Sequence, residues 1–180
     1  MKVTRKVRLK TVWFLVIPFL WFASPTPRTL AIGGAIAFMG LIVRSLSAGF
    51  IHKESTLTTT GPYAHTRNPL YVGTFMLGIG VTVAGGSWPF VLVFLAFFAW
   101  VYTATIRKEA ELLSEMYGEA YAEYAANVPL FVPRPTPYRF PGVNSQPEFS
   151  FERWSGNKEY EAWLGALAGF AALFVRMIAG

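Results

Sequence analysis

The sequence predicts an all-α polytopic membrane protein. It has about five transmembrane helices, a charged helix on one membrane face and an extended strap. Three observations predict this class. Hydrophobic residues make up 53% of the 180 residues and charged residues only 14%, too apolar a balance for a soluble domain of this size. The charges gather at the N-terminus, in the 52–68 loop and in 107–161, and long stretches between them carry almost none. Two of the apolar runs are separated only by Gly85-Gly86-Ser87, a linker that fits a tight helical hairpin and nothing larger. Backbone in contact with lipid must satisfy its own hydrogen bonds, so the apolar runs are read as helices.

The first run, residues 11–23, follows Lys2, Arg5, Lys6, Arg8 and Lys10 and contains Pro18. Its basic start also fits a signal peptide, but Ala23-Ser24-Pro25 is a poor cleavage site. A segment this short barely crosses a bilayer that asks for about 20 helical residues, so a re-entrant hairpin is its other rival. Residues 30–51 are long enough to span and carry Gly33 and Ala37, a small-residue spacing that lets helices approach closely. Residues 70–84 and 88–106 form the hairpin, and residues 162–178 form the last span.

Charge sets the expected orientation. With five spans, one side holds thirteen of the 16 basic residues, the other holds Arg28 and Arg176, and Arg44 lies within a span. Basic residues stay on the cytoplasmic side of membranes. The N-terminus, the 52–68 loop and 107–161 are therefore expected in the cytoplasm, and the C-terminus outside. Basic residues that flank apolar runs orient a membrane protein and do not form a nucleic-acid patch. The chain has no cysteine and two histidines, His52 and His65, which excludes thiolate and all-histidine metal sites. Arg44 either snorkels to the headgroups or forms a polar wall of a substrate cavity, helped by Ser45 and Ser47.

Residues 107–124 lack proline and repeat Glu109, Leu112, Leu113, Met116, Tyr117, Tyr121 and Tyr124 at helical spacing. Gly118 is a point where this helix can break. Prolines over 129–141 predict an extended strap, and the aromatic residues 149–154 an interfacial segment.

The loop before the hairpin is the candidate site. Gly61, Pro62, Tyr63, His65, Arg67, Asn68, Pro69, Tyr71 and Gly73 crowd into thirteen positions, more polar and backbone-shaping residues than a connector needs. Read alone, they also fit ordinary turn formers beside an arginine anchored to phosphates. A second block, one hairpin later, changes that balance. It runs Arg107-x-Glu109-x-x-x-Leu113-x-x-x-Tyr117-Gly118-x-x-Tyr121-x-x-Tyr124, followed by Val128-Pro129 and Pro133. Together with Leu57-x-Thr59, the two blocks resemble the signature of the isoprenylcysteine carboxyl methyltransferase and phospholipid methyltransferase family of integral membrane enzymes. The resemblance covers about residues 30–134. Asn68 stands where better-known members have histidine, Ala110 where many have a second glutamate, and Tyr117 where phenylalanine is usual.

The resemblance implies S-adenosylmethionine-dependent methyl transfer to a lipid or prenylated acceptor that enters from the bilayer. The implied donor-binding residues are Tyr63, His65, Asn68, Pro69, Tyr71, Gly73, Glu109, Tyr121 and Tyr124. The implied acceptor-binding residues are Arg44, Arg67 and Arg107, with Arg67 and Glu109 in catalytic roles. The chemistry suits them. Such a donor carries a sulfonium cation, a zwitterionic tail and an adenosine, so its site needs a carboxylate, hydrogen-bond donors and aromatic or apolar walls. Methyl transfer is an in-line displacement governed by positioning and exclusion of water. Arg67 can hold an acceptor's carboxylate or phosphate through a bidentate contact. An ammonium acceptor also needs a base, and Glu109 or His65 can supply one. A membrane reductase related to sterol reductases and a non-enzymatic scaffold are the competing readings.

Overall fold

The computed structural model describes residues 16–51, 56–139 and 148–179, and all the regular structure in them is helical. A short helix α1 occupies residues 16–22. Helix α2 (Pro27–Phe50) starts at a reciprocal cap: the Thr29 amide donates to Thr26 Oγ1 at 3.1 Å, and the Thr26 amide donates to Thr29 Oγ1 at 2.9 Å. Pro27 sits in the first turn, where its missing N–H costs nothing. A 3₁₀ turn (Gly61–Ala64) leads into helix α3 (Pro69–Ala84), and Pro69 again opens the helix. Gly86, at φ 69°, turns the chain into helix α4 (Trp88–Asn127). Helix α5 (Phe151–Gly156) and helix α6 (Tyr160–Ala179) complete the chain.

Helices α2 and α3 are the packed centre. Gly40 and Gly73 face each other there. A Cβ on either would lie 2.7 Å from the other's carbonyl oxygen, so only glycine permits this approach. Ala37 is buried in the same seam, as the small-residue spacing predicts. At one end of the pair, Phe19, Ala23, Ala84 and Leu173 bring α1, α3 and α6 together. At the other end, Tyr121, Tyr124 and Val128 form a second cluster with Leu57, Leu113 and Tyr138.

Helix α4 runs unbroken out of its apolar half into the charged half, because no helix breaker separates Ile106 from Arg107. Its one departure is Gly118, with φ 51° and ψ −122°, which kinks the helix where the sequence allows a break. The strap over 129–139 carries no helix, in line with its prolines.

The count of five spans is not reproduced. Among the described residues, three helices are long and apolar enough to cross a membrane: α2, α4 and α6. Helix α3 is apolar but has only 16 residues. That gives about 24 Å of rise against a hydrocarbon core of about 30 Å. Of the first apolar run, residues 11–15 lie outside the described residues, as do the N-terminal basic cluster, His52 and Lys53. The wide apolar exposure of α4 and α6, including Trp88, Leu92, Trp100, Leu164, Leu167 and Phe174, is what a lipid-facing surface requires.

Candidate active site

The loop between α2 and α3 is held by the strap through backbone bonds. The Arg67 amide donates to the Pro129 carbonyl at 2.9 Å, the Arg134 amide to the His65 carbonyl at 2.9 Å, and the Tyr138 amide to the Ala64 carbonyl at 2.9 Å. Side chains add to this ladder. Thr66, 2% exposed, donates its hydroxyl to the Phe131 carbonyl at 3.0 Å. Asn68 Nδ2 donates to the Leu130 carbonyl at 2.9 Å. His65 Nδ1 lies 2.8 Å from the Arg134 carbonyl oxygen, which can only accept. That contact places a proton on Nδ1. The strap therefore keeps the loop in one shape.

The second helical block meets the loop from its other side. Tyr124 donates its hydroxyl to the Tyr63 carbonyl at 2.7 Å. One terminal nitrogen of Arg67 donates to the Tyr121 hydroxyl at 3.2 Å, and the guanidinium lies 5.9 Å from the centre of that ring. Tyr71 stacks edge-on against Tyr102 of α4, with ring centres 5.3 Å apart. Three buried side-chain atoms in the loop have no partner among the described residues: the Tyr63 hydroxyl, Arg67 Nε and Thr60 Oγ1. Buried polar groups are rarely left unpaired, because each forgoes hydration without replacement.

Burial pushes the Tyr63 hydroxyl pKa up. Tyr124, Glu109, Tyr71 and Glu159 push it further in the same direction. The Tyr124 hydroxyl is also raised by burial, against the lowering effect of the Arg67 cation. Both phenols therefore stay protonated near neutral pH.

The structure thus brings Tyr63, Arg67, Tyr121 and Tyr124 together, while Tyr71 meets α4 at Tyr102 and Glu109 is half-buried on α4. His65 and Pro69 lie elsewhere: they line a cavity of about 720 Å³ between α2, α3 and the strap. Its other walls include Val43, Leu46, Val72 and Met76. Asn68 is spent on the strap. Gly73 packs against Gly40 and Arg44. Arg107 is exposed on α4.

Arg44 does not snorkel. Its Nε donates to Glu159 Oε1 at 2.6 Å, one terminal nitrogen donates to Glu159 Oε2 at 3.1 Å, and the other bonds Thr74 Oγ1. Glu159 is the polar residue that sequence reasoning missed. Its signal was Arg44 itself, since a lone charge inside an apolar helix requires a counter-charge. Among the described residues, no group of three His, Asp or Glu side chains could hold a metal ion.

Comparison with known proteins places this geometry in a family. The phospholipid methyltransferase family model matches residues 29–120, which include the loop and Glu109. The chain is 32% identical to the cobalt-zinc-cadmium resistance protein CzcN of Cupriavidus metallidurans, over 79% of this chain and 71% of that protein. It is 38% identical to the nickel-cobalt-cadmium resistance protein NccN of Alcaligenes xylosoxydans, over 48% of this chain and 40% of that protein. It is 30% identical to the protein-S-isoprenylcysteine O-methyltransferase of Schizosaccharomyces pombe, over 46% of this chain and 35% of that enzyme. The chain therefore spans less than half the length of the last two. No solved structure matches it. With its membrane helices, its two sequence blocks in contact and this match across its centre, the chain belongs to the phospholipid methyltransferase family.

Proposed function

We propose that this chain transfers a methyl group from S-adenosylmethionine to an amphipathic acceptor, a lipid or a prenylated molecule, held in the membrane. The observation that carries this reading is the buried cluster of Tyr63, Arg67, Tyr121 and Tyr124, in which the Tyr63 hydroxyl and Arg67 Nε have no partner among the described residues. Two unpartnered buried hydrogen-bond donors fit a pair of ligands, the methyl donor's own carboxylate at Tyr63 and the acceptor's oxyanion at Arg67, and the tyrosines supply flat walls. S-adenosylmethionine supplies an electrophilic methyl group on a sulfonium. Tyr63, Tyr71, Tyr121 and Tyr124 would wall it, and Glu109 would supply the carboxylate for its positive charge.

Arg67 orients the acceptor's oxyanion, with one terminal nitrogen braced by Tyr121. The cavity beside the loop takes the acceptor's hydrocarbon part, which suits its apolar walls. His65 stands at that cavity with its Nδ1 held by the Arg134 carbonyl. The relatives named for isoprenylcysteine O-methylation support a prenylated or lipid acceptor. The basic loop and the 107–161 region face the cytoplasm in this reading, on the strength of their charge.

Calorimetry with purified protein and S-adenosylmethionine tests the reading. Saturable binding is expected, and Glu109→Ala weakens it. A lost charge-assisted contact costs about 1.5–3 kcal/mol, or roughly tenfold to a hundredfold in affinity. Folded wild-type protein that binds no donor would move the assignment to a reductase or a scaffold.

A further inference from the structure

We propose that Glu159 is a positioning residue of this site: its carboxylate holds the Arg44 guanidinium against Thr74 and so fixes the α2–α3 wall that the acceptor meets. The proposal rests on the reading above, in which the cavity along α2 and α3 takes the acceptor. Glu159 lies outside the family match at 29–120, in the C-terminal segment that follows the strap.

The geometry is that of a two-point clamp. Two nitrogens of Arg44 meet two oxygens of Glu159, at 2.6 and 3.1 Å, and the third nitrogen bonds Thr74. Bidentate pairing of this kind fixes direction as well as distance. Glu159 is 3% exposed and the Arg44 side chain 22%, so water screens neither charge well. Loss of either partner strands the other.

The chain holds Glu159 there at a conformational cost. Lys158, the residue before it, has φ 55°, the left-handed region that favours glycine. The turn is a helix C-terminal motif: the Lys158 amide donates to the Ser155 carbonyl at 2.8 Å and the Glu159 amide to the Trp154 carbonyl at 3.3 Å. A lysine kept in that conformation marks a turn whose direction matters.

The same segment grips the end of α2, where helix carbonyls lack partners. Asn157 Nδ2 donates to the Ala48 carbonyl at 2.9 Å, and Arg153 Nε and the Ser150 amide donate to the Gly49 carbonyl at 2.9 and 3.0 Å. Trp163 Nε1 donates to Ser45 Oγ at 2.9 Å. Those last turns of α2 carry Val43, Leu46 and Phe50 into the cavity wall. On α3, Thr74 follows Gly73 and Val72, and Val72 lines the cavity as well. One ion pair therefore ties both walls.

The chain has no cysteine, so Ser47→Cys introduces a unique thiol at a position of 0% exposure on α2, one turn beyond Arg44. In that background, Glu159→Gln should raise the rate of modification by N-ethylmaleimide about tenfold, the change that a 1.4 kcal/mol shift toward the open form gives. With S-farnesyl-N-acetylcysteine as the acceptor probe, its KM should rise about tenfold while kcat falls by less than about threefold. Donor affinity by calorimetry should stay unchanged. A second variant, Arg44→Met with Glu159→Leu, separates positioning from stability. Replacing a buried pair by apolar residues keeps such proteins folded, and labelling should still accelerate. Wild-type labelling and KM in both variants would overturn the proposal. Absence of donor binding in wild-type protein would instead overturn the methyltransferase reading, and the labelling result would still decide the role of Glu159.

Discussion

Tyr124 donates its hydroxyl to the backbone carbonyl of Tyr63 at 2.7 Å, and that single bond joins the two sequence blocks across 61 positions of chain. Tyr124 is buried, and Tyr63 lies within the 3₁₀ turn that leads to Arg67. The bond therefore couples the charged half of α4 to the loop.

Tyr124→Phe keeps the ring and removes this donor. The buried Tyr63 carbonyl is left without its partner, which costs about 1–3 kcal/mol. A fall of that size in unfolding free energy is expected, together with weaker donor binding. Chemical denaturation and calorimetry on the purified variant measure both. An unchanged denaturation midpoint would show that the bond does not hold the blocks together.

Arg67→Lys separates binding from chemistry. Lysine keeps the charge but loses the planar fork that spans Tyr121 and the orphaned Nε direction. Donor affinity should stay within about threefold, while the methyl-transfer rate falls on the order of a hundredfold, the scale of a 1 Å misplacement. Turnover at the wild-type rate would make Arg67 a headgroup anchor.

Alkaline pH should destabilise the site through Tyr63. Burial, aided by its tyrosine and glutamate neighbours, raises its pKa above the ordinary 10.0. Above pH 10 the unfolded chain loses this proton while the folded chain keeps it, so the unfolded state binds fewer protons and stability falls as pH rises. The contribution is fully present below pH 10. Tyr63→Phe should flatten the loss of stability between pH 10 and 11.5, measured by thermal melts in detergent. Identical slopes would assign the alkaline loss to other groups.

The charge distribution predicts an orientation with the 52–68 loop in the cytoplasm. A reporter inserted near Gly61 should behave as cytoplasmic. A second fused after Gly180 should behave as exported, given an odd number of spans. The reverse pattern in both would invert the proposed membrane sidedness.

Much of this arrangement is legible in the sequence, and the rest is hidden for identifiable reasons. The α2 seam is visible in the Gly33 and Ala37 spacing, the hairpin in Gly85-Gly86, and the strap in its prolines. The meeting of Arg67 with Tyr121 follows from two motifs that a tight hairpin returns to one face. The loop-to-strap ladder is not readable, because backbone bonds such as Arg67 to Pro129 leave no side-chain signature. The partner of Arg44 lies 115 positions away. The arginine announces that a counter-charge is needed, but several glutamates follow, and only packing selects Glu159. The division between the polar cluster and the cavity is equally hidden. His65 and Arg67 stand two residues apart, and the 3₁₀ turn, not their chemistry, sends them to different sides.

The most direct test is methyl transfer itself. Purified protein in lipid vesicles is incubated with S-adenosylmethionine carrying a labelled methyl group, together with S-farnesyl-N-acetylcysteine or a total membrane-lipid extract. The account predicts label in an organic-extractable product with wild-type protein, and its loss with Glu109→Ala. Folded, donor-binding protein that labels neither acceptor above the level of Glu109→Ala would contradict it.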